Sequence, residues 1–270
     1  MATVDAIKRF KPAGSSADPQ GAMTSAGAGR TTRAIVATLM LLAFGSPAMA
    51  CVDPVSVCTT GRPGGFALIE RGVPAAIYID AEADPAVRHA AESLRGDLER
   101  VSGREPSRLT TLSEGRGPTV ILGVLGKSAV IDGLVESGKL ELGDLAGEWE
   151  GFRQLVVDRP TPGIRRALLI VGADRRGAVY GAYDLSERIG ISPWVWWADV
   201  PVTQKPALYL TAGARGDHPR VRYRGFFIND EDPAFSGWAK AKFGGPNSKA
   251  YAHVFELMLR LKGNYLWPAM

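Results

Sequence analysis

Arg224-Gly225-Phe226-Phe227-Ile228-Asn229-Asp230-Glu231-Asp232-Pro233 decides how this chain is read. An apolar run through Phe226, Phe227 and Ile228 breaks into an amide and three carboxylates before a proline. Hydrophobic residues that stop at a cluster of acids have the form of a buried strand delivering polar side chains to a rim. Three adjacent carboxylates repel one another and cannot enter a dry core without partners. The same ten residues also fit an exposed acidic turn, so the flanking sequence has to decide.

Its 270 residues allow one large or two ordinary domains, with ample sequence for a packed core. The composition is globular, 46% apolar and 22% charged, and 32 glycines with 18 prolines imply many turns. The formal charge of +4 is unevenly spread. Lys8, Arg9, Lys11, Arg30 and Arg33, against Asp5 and Asp18, put +3 of it before residue 50. The remainder is close to neutral, so electrostatics make no case for a nucleic-acid or anionic-membrane partner.

Residues 1–50 have the layout of a secretory signal peptide. Arg30 and Arg33 precede an apolar run from Ala34 to Phe44, and Ala48-Met49-Ala50 supplies the small-x-small cleavage triplet. This run of eleven residues is too short to span a bilayer. The long polar n-region makes Met23 an alternative start. Export to the periplasm or the medium is the expected localisation. Cys51 and Cys58, the two cysteines, follow the proposed cut and could close a small disulfide loop, or Cys51 could be the acylated first residue of a lipoprotein. Two thiols and three scattered histidines (His89, His218, His253) offer no metal-ligand spacing, and no cofactor is expected.

After a Gly-Pro-rich linker (51–63), residues 64–212 read as a small α/β layer domain. Phe66–Glu70, Ala75–Ile79, Thr119–Gly123, Phe152–Val157 and Ala167–Val171 read as strands, the last two joined by a turn at Pro160–Gly163. Asp84-Pro85 opens a helix whose apolar positions are Val87, Ala90, Ala91, Leu94, Leu98 and Val101, and Gly103 ends it. A second helix starts at Asp174 and ends at Gly190, with a small-residue stripe of Ala178, Gly181 and Ala182 that suits close packing on a sheet. The glycines of Gly172–Gly177 lack the G-x-G-x-x-G spacing of a dinucleotide fingerprint. Next, Trp194-Val195-Trp196-Trp197 places three indoles within four residues. Aromatic faces stack on sugar faces, but tryptophans beside a domain junction also pack that junction.

Three segments together resemble glycoside hydrolase family 115, the xylan α-1,2-glucuronidases. They are Ile170-Val171-Gly172-Ala173-Asp174-Arg175-Arg176-Gly177; Tyr180–Glu187 running into Ser192–Val200; and Tyr223–Glu231 continuing through Ser236-Gly237-Trp238 to Leu259–Met270. The resemblance implies an N-terminal α/β domain followed by a (β/α)8 TIM barrel that begins in residues 213–270. Val221–Ile228 would be its first strand, Ser248 the cap of its first helix with a stripe of Tyr251, Val254, Phe255, Met258 and Leu261, and Tyr265–Trp267 the start of its second strand. The acids then sit at the C-terminal end of strand one, the face where barrel enzymes place their chemistry. A barrel takes about 250 residues, so the expectation is a truncated barrel and a fragment of a longer enzyme.

The family resemblance implies inverting hydrolysis that releases glucuronic acid or 4-O-methylglucuronic acid from xylan. Such chemistry needs two carboxyl groups about 6.5–9.5 Å apart. Neighbours on one strand point to opposite sides, so Asp230 and Glu231 do not make that pair by themselves. Asp230, then Glu231, are the catalytic candidates; Asn229, Glu187, Trp197 and Trp267 are the substrate-binding candidates. The partner implied is glucuronoxylan or its oligosaccharides. The alternative is a non-catalytic remnant or carbohydrate-binding accessory module.

Overall fold

The computed structural model describes residues 51–268. The expected signal peptide and the choice of start residue lie outside the described residues. Four strands form a small sheet: β1 (Val57–Cys58), β2 (Phe66–Glu70), β3 (Val73–Pro74) and β9 (Leu208–Leu210), in the order β1-β9-β2-β3. Six form a larger one: β4 (Ala76–Ile79), β5 (Arg108–Leu109), β6 (Thr119–Val124), β7 (Phe152–Thr161), β8 (Ile164–Gly172) and β10 (Ala214–Asp217), in the order β10-β7-β8-β6-β4-β5. Strands β8, β6, β4 and β5 are parallel, and β7 and β10 extend the sheet antiparallel. The chain is α/β, as its sequence implies.

Both faces of the larger sheet are covered, which is why β6 is buried along nearly its whole length rather than alternating. On one face lie α1 (Pro85–Ser102) and α3 (Arg175–Ile189), whose Leu94, Leu98, Tyr180, Tyr183 and Leu185 share a core with Ile77, Val120, Leu168 and Ile170. On the other lie α2 (Ala129–Glu136) and the loop after it, where Ile131, Leu140 and Leu145 meet Ile121, Leu169 and Val171. Each fully buried leucine or isoleucine contributes about 1.5–3 kcal/mol of burial.

The helix boundaries follow the expected chemistry. Asp84 accepts from the Ala86 N–H at 2.9 Å, Pro85 occupies the first turn, and Gly103 closes α1 at φ 75°. Asp174 accepts from the Gly177 N–H at 2.8 Å and from the Glu150 N–H at 2.9 Å, and Gly190 closes α3 at φ 112°. The glycines around residue 174 serve packing. A Cβ on Gly177 would lie 2.0 Å from the Gly151 carbonyl oxygen, and one on Gly172 would lie 2.0 Å from the Ala178 nitrogen. Strands β7 and β8 run on to Thr161 and Ile164, so the turn between them is Pro162-Gly163 alone, tighter than expected.

Two elements escape the sequence patterns. The stretch 51–63 is ordered: β1 pairs with β9, Val55 is fully buried, and Cys51 and Cys58 form a disulfide with Cα atoms 5.8 Å apart. Residues 235–243 form a helix, α4 (Phe235–Phe243), whose Gly237 and weak apolar periodicity hide it.

The last segment is one parallel β–α–β unit, in which β11 (Gly225–Ile228) and β12 (Tyr265–Pro268) lie side by side, joined through α4 and α5 (Ser248–Arg260). Three details differ from the sequence reading. Strand one is shorter than Val221–Ile228, because Arg224 turns its side chain back onto the carbonyl of Val221 at 2.7 Å. Asn247, not Ser248, caps α5, accepting from the Lys249 and Ala250 N–H groups at 3.0 and 3.4 Å. Finally, α5 buries Ala250, Val254, Leu257 and Arg260, while Phe255 and Leu261 are each 44% exposed. The helix is turned toward the α/β layers by polar contacts that hydrophobic spacing does not register.

Candidate functional site

Gly225 starts β11 where no side chain fits, since a Cβ there would lie 1.6 Å from the Tyr265 carbonyl oxygen. The strand then alternates. Phe227 and Trp267, cross-strand neighbours, point to an open face, with ring centroids 6.2 Å apart and exposures of 57% and 60%. Phe226 and Ile228 are half-buried on the opposite side.

Asp230, two residues on from Ile228, is on the α5 side as well. Its carboxylate accepts from the Tyr251 hydroxyl at 2.7 Å, and its backbone carbonyl accepts from the Ser236 hydroxyl. Removal from water, then the hydrogen bond to Asp230 and that carboxylate's charge, push the Tyr251 hydroxyl up to about 12. Tyr251 therefore stays a donor across the ordinary pH range. Asn229 and Glu231 are exposed, and the Asn229 side-chain oxygen accepts from the Glu231 N–H at 3.4 Å. The Glu231 carboxylate has no partner among the described residues. Asp232 pairs with Lys240 at 2.6 Å on the surface.

The other candidates lie apart. Glu187 is exposed on the last turn of α3, and no hydrogen bond or ion pair among the described residues brings its side chain toward Asp230. Trp197 is half-buried; its indole N–H donates to the His253 carbonyl at 3.2 Å, and its ring stacks on Trp238 with centroids 5.2 Å apart. It packs the junction between the tryptophan run, α4 and α5. Trp267 remains on the open face beside Phe227.

What positions the acid loop is a set of anchors that sequence reading missed. Three carboxylates of the α/β layers are buried: Asp97 at 0%, Glu150 at 1% and Asp184 at 5% exposure. Each holds a cation from residues 215–262. Arg260 binds Asp97 through two parallel N–H groups, at 2.8 and 3.2 Å. Arg224, immediately before β11, binds Glu150, which Arg176 and Asn264 also reach at 3.0 and 3.1 Å. Lys262 and Arg215 reach Asp184 at 3.2 and 2.6 Å. Buried charge tolerates this only because each carboxylate has several donors.

Two tyrosines of α3 complete the interface. Tyr180 donates to the Gly263 carbonyl at 2.8 Å, and Tyr183 donates to Glu256 at 2.9 Å. Burial, then the Glu150 charge, push Tyr180 up to about 12. Burial also pushes Glu256 upward, but the hydrogen bond from His89, the Arg260 charge and the Tyr183 hydroxyl outweigh it and bring Glu256 down to about 2. His89 is raised in turn, first by its hydrogen bond to Glu256 at 2.9 Å. The turn between α5 and β12 is thus fixed on the α/β layers, and β11 is fixed through Arg224. In the sequence the only trace of this is polar residues (Asp97, Asp184, Arg260) falling on helix faces that are otherwise apolar.

A separate hollow of about 510 Å³ opens beyond the C-terminal ends of β4, β6 and β8 and shares no lining residue with the acid loop. The three side chains that cap helices there, Asp84, Ser128 and Asp174, are already engaged, all by their own helices, Asp174 also by the Glu150 N–H and Asp84 also by Arg175. No group of three or more histidine, cysteine or carboxylate side chains among the described residues is arranged to hold a metal ion.

Residues 216–270 match the family model for glycosyl hydrolase family 115. Among solved structures, this chain is similar to a family GH115 4-O-methyl-α-glucuronidase with specificity for decorated arabinogalactans. Identity is 29% and the TM-score 0.61, over 76% of this chain and 26% of that one. This chain therefore spans about a quarter of that structure's length. Two weaker likenesses are to CpGH84D (12% identity, TM-score 0.42, 79% of this chain and 36% of that) and to a GH138 enzyme targeting pectin rhamnogalacturonan II (14%, 0.41, 72% and 24%). Neither carries weight at that level. No curated protein matches. The resemblance to family 115 read from the sequence is supported by both the family model and the structure.

Proposed function

We propose that this chain is the N-terminal part of an exported family 115 glycoside hydrolase that removes glucuronic acid or 4-O-methylglucuronic acid from a polysaccharide. The observation that carries this is the acid-bearing loop after β11, within the 216–270 match and fixed on the α/β layers by Arg224, Arg260 and Lys262. In this reading β11 and β12 are the first two strands of the TIM barrel, and their open Phe227–Trp267 face looks into its interior.

The reaction is inverting hydrolysis, with one carboxyl protonating the leaving oxygen and another activating water about 6.5–9.5 Å away. Asp230 is the carboxylate held in place, with Tyr251 donating to it, and Glu231 is the exposed neighbour. The second member of the pair comes from another strand of the barrel. Asn229 bonds the uronic acid, Trp267 offers an apolar face, and Glu187 is a weaker binding candidate because nothing directs it toward Asp230. A sulfur in a disulfide is unavailable for acylation, which favours a freely exported protein over a Cys51 lipid anchor.

Glucuronoxylan is the first substrate to test. A second, uronate-decorated arabinogalactan, is favoured by the specificity of the similar structure. In a protein extended through the remaining barrel, Asp230→Ala should cut uronic acid release by orders of magnitude without loss of folding, and near-normal release would sink the assignment. Release from glucuronoxylan against arabinogalactan separates the two substrates. Release by the 270-residue chain alone would show that no further strand is needed.

A further inference from the structure

The three tryptophans of Trp194-Val195-Trp196-Trp197 have different fates. Trp197 is spent on packing, but Trp194 and Trp196 are 47% and 40% exposed. Trp196 lies flat on His253, with ring centroids 3.6 Å apart and planes at 6°, so its ring is held rigidly. Its indole N–H has no partner among the described residues. It lines a hollow of about 350 Å³ together with Arg100, Val195, Trp197, Asp199, Trp238 and Lys242. A second, separate hollow of about 470 Å³ also has Arg100, Val195, Trp196 and Trp197 in its lining, together with the carboxylates Glu92 and Glu256.

The charges in the first hollow are unbalanced. Lys242 has no hydrogen-bond or ion-pair partner among the described residues and sits 5.9 Å from the Trp196 ring centre. Arg100 uses one N–H on Asp97 at 3.1 Å and is otherwise 53% exposed, leaving most of its five donors free. Asp199 is the one carboxylate, exposed and without a partner. A rigid indole with a free N–H, two cations with spare donors and one acceptor match a pyranose that carries a carboxylate. The ring stacks on the indole, Lys242 and Arg100 take the carboxylate, and Asp199 accepts from a hydroxyl. Phe235, which contacts both Trp238 and Tyr251, links this hollow to the layer behind β11 rather than to the open Phe227–Trp267 face.

We infer that the Trp196–Lys242 hollow is a binding site for uronic-acid-bearing oligosaccharide, in addition to the loop that carries Asp230. The choice of a sugar as occupant rests on the function proposed above; the preference for a charged one rests on Lys242 and Arg100. The site holds a decorated chain without cleaving it.

The test is titration of the full chain with a xylo-oligosaccharide carrying one 4-O-methylglucuronic acid, against the undecorated oligosaccharide of equal length, followed by calorimetry and tryptophan fluorescence. The decorated sugar should bind roughly 10-fold tighter at low salt, and that preference should shrink at high salt. Lys242→Gln should remove most of the preference, Trp196→Ala should weaken both sugars about 10-fold or more, and Trp196→Phe should recover part of the loss. Unchanged near-ultraviolet dichroism elsewhere in the spectrum confirms that Trp196→Ala still folds, and Lys242→Gln, at an exposed position, tests the site independently.

Equal affinity for the two sugars, no binding of either, or a single-stranded oligonucleotide binding as tightly as the decorated sugar would each overturn the inference. Binding here with no uronic acid release by the extended protein overturns the hydrolase reading alone. Release without binding here overturns the binding site alone.

Discussion

The α/β layers and the β11–β12 unit handle apolar surface in opposite ways. In the layers, both faces of a six-stranded sheet are covered and side chains such as Leu94, Leu98, Ile121 and Leu169 have no exposure at all. In the β11–β12 unit one face is open, with Tyr223, Phe227, Tyr265 and Trp267 between 48% and 69% exposed. The first region is held by its own core. Of the apolar side chains of α5 the second buries only Ala250, Val254 and Leu257, and it is tied to the first by polar contacts as well, through Asp97, Glu150 and Asp184. An element that cannot bury both faces needs anchoring elsewhere, and here the anchors are buried carboxylates, whose directional bonds fix orientation as well as position.

The sharpest way to break that division is to remove one anchor. Arg260→Leu leaves Asp97 buried and without its two-pronged partner, a loss of about 3–5 kcal/mol. If the anchors hold only the last segment, hydrogen exchange should accelerate in α5 and β12 while β6 and β8 keep their protection. Uniform loss of protection would show that the two regions unfold as one. The double replacement Asp97→Leu with Arg260→Leu should recover much of the loss, because apolar side chains of similar size often replace a buried pair at little cost.

Leu98→Ala strikes the other region. It opens a cavity beneath α1 at a fully buried position and should cost about 2–5 kcal/mol of global stability, read by chemical denaturation. Its effect should be seen in every element, including the anchored one, since nothing supports β11 once α1 and α3 loosen.

How much of this was legible follows the same division. Periodicity and caps locate α1 and α3 because burial there is apolar and local: Asp84 and Gly103, Asp174 and Gly190 stand where the patterns begin and end. The small stripe of α3 even states its reason, since a Cβ on Gly181 would press on Ile170 and Phe152 of the sheet. The rotation of α5 was not legible. Its apolar stripe through Tyr251, Phe255 and Met258 points toward the strand side, but Arg260 and Glu256 bind Asp97, Tyr183 and His89 and turn another face inward. Partners 163 residues apart leave no spacing to read. At the acid loop, Asp230 was legible as a candidate, whereas Tyr251, 21 residues away, was not.

The anchoring interface should also respond to pH. Glu256 is held down at about 2, so its contribution is complete above its unfolded value and is lost as pH falls toward that figure. Linkage bounds that loss at about 3 kcal/mol before screening at this partly exposed site. His89 is raised, so its smaller contribution is complete below its ordinary value and fades as pH rises through the raised one. Protection of α5 should therefore peak in the mildly acidic range. A Glu256→Gln variant should flatten the acid side of that profile while leaving β6 and β8 unaffected.

The smallest expected effect concerns Tyr251→Phe, which separates stability from positioning. The lost hydrogen bond to a half-buried carboxylate should cost only about 0.5–1.5 kcal/mol, since water can reach Asp230 and replace the donor. The consequence lies in the loop. With Tyr251 present, the Asp230 side chain is fixed from α5 and its backbone from Ser236, so the acid is presented in one orientation. Without the hydroxyl, the carboxylate can rotate while the backbone contact remains. In a protein extended through the barrel, turnover should fall more than tenfold with little change in melting temperature or KM. A drop in melting temperature with unchanged turnover would instead make Tyr251 a packing residue, and Asp230 would have to be held by another part of the barrel.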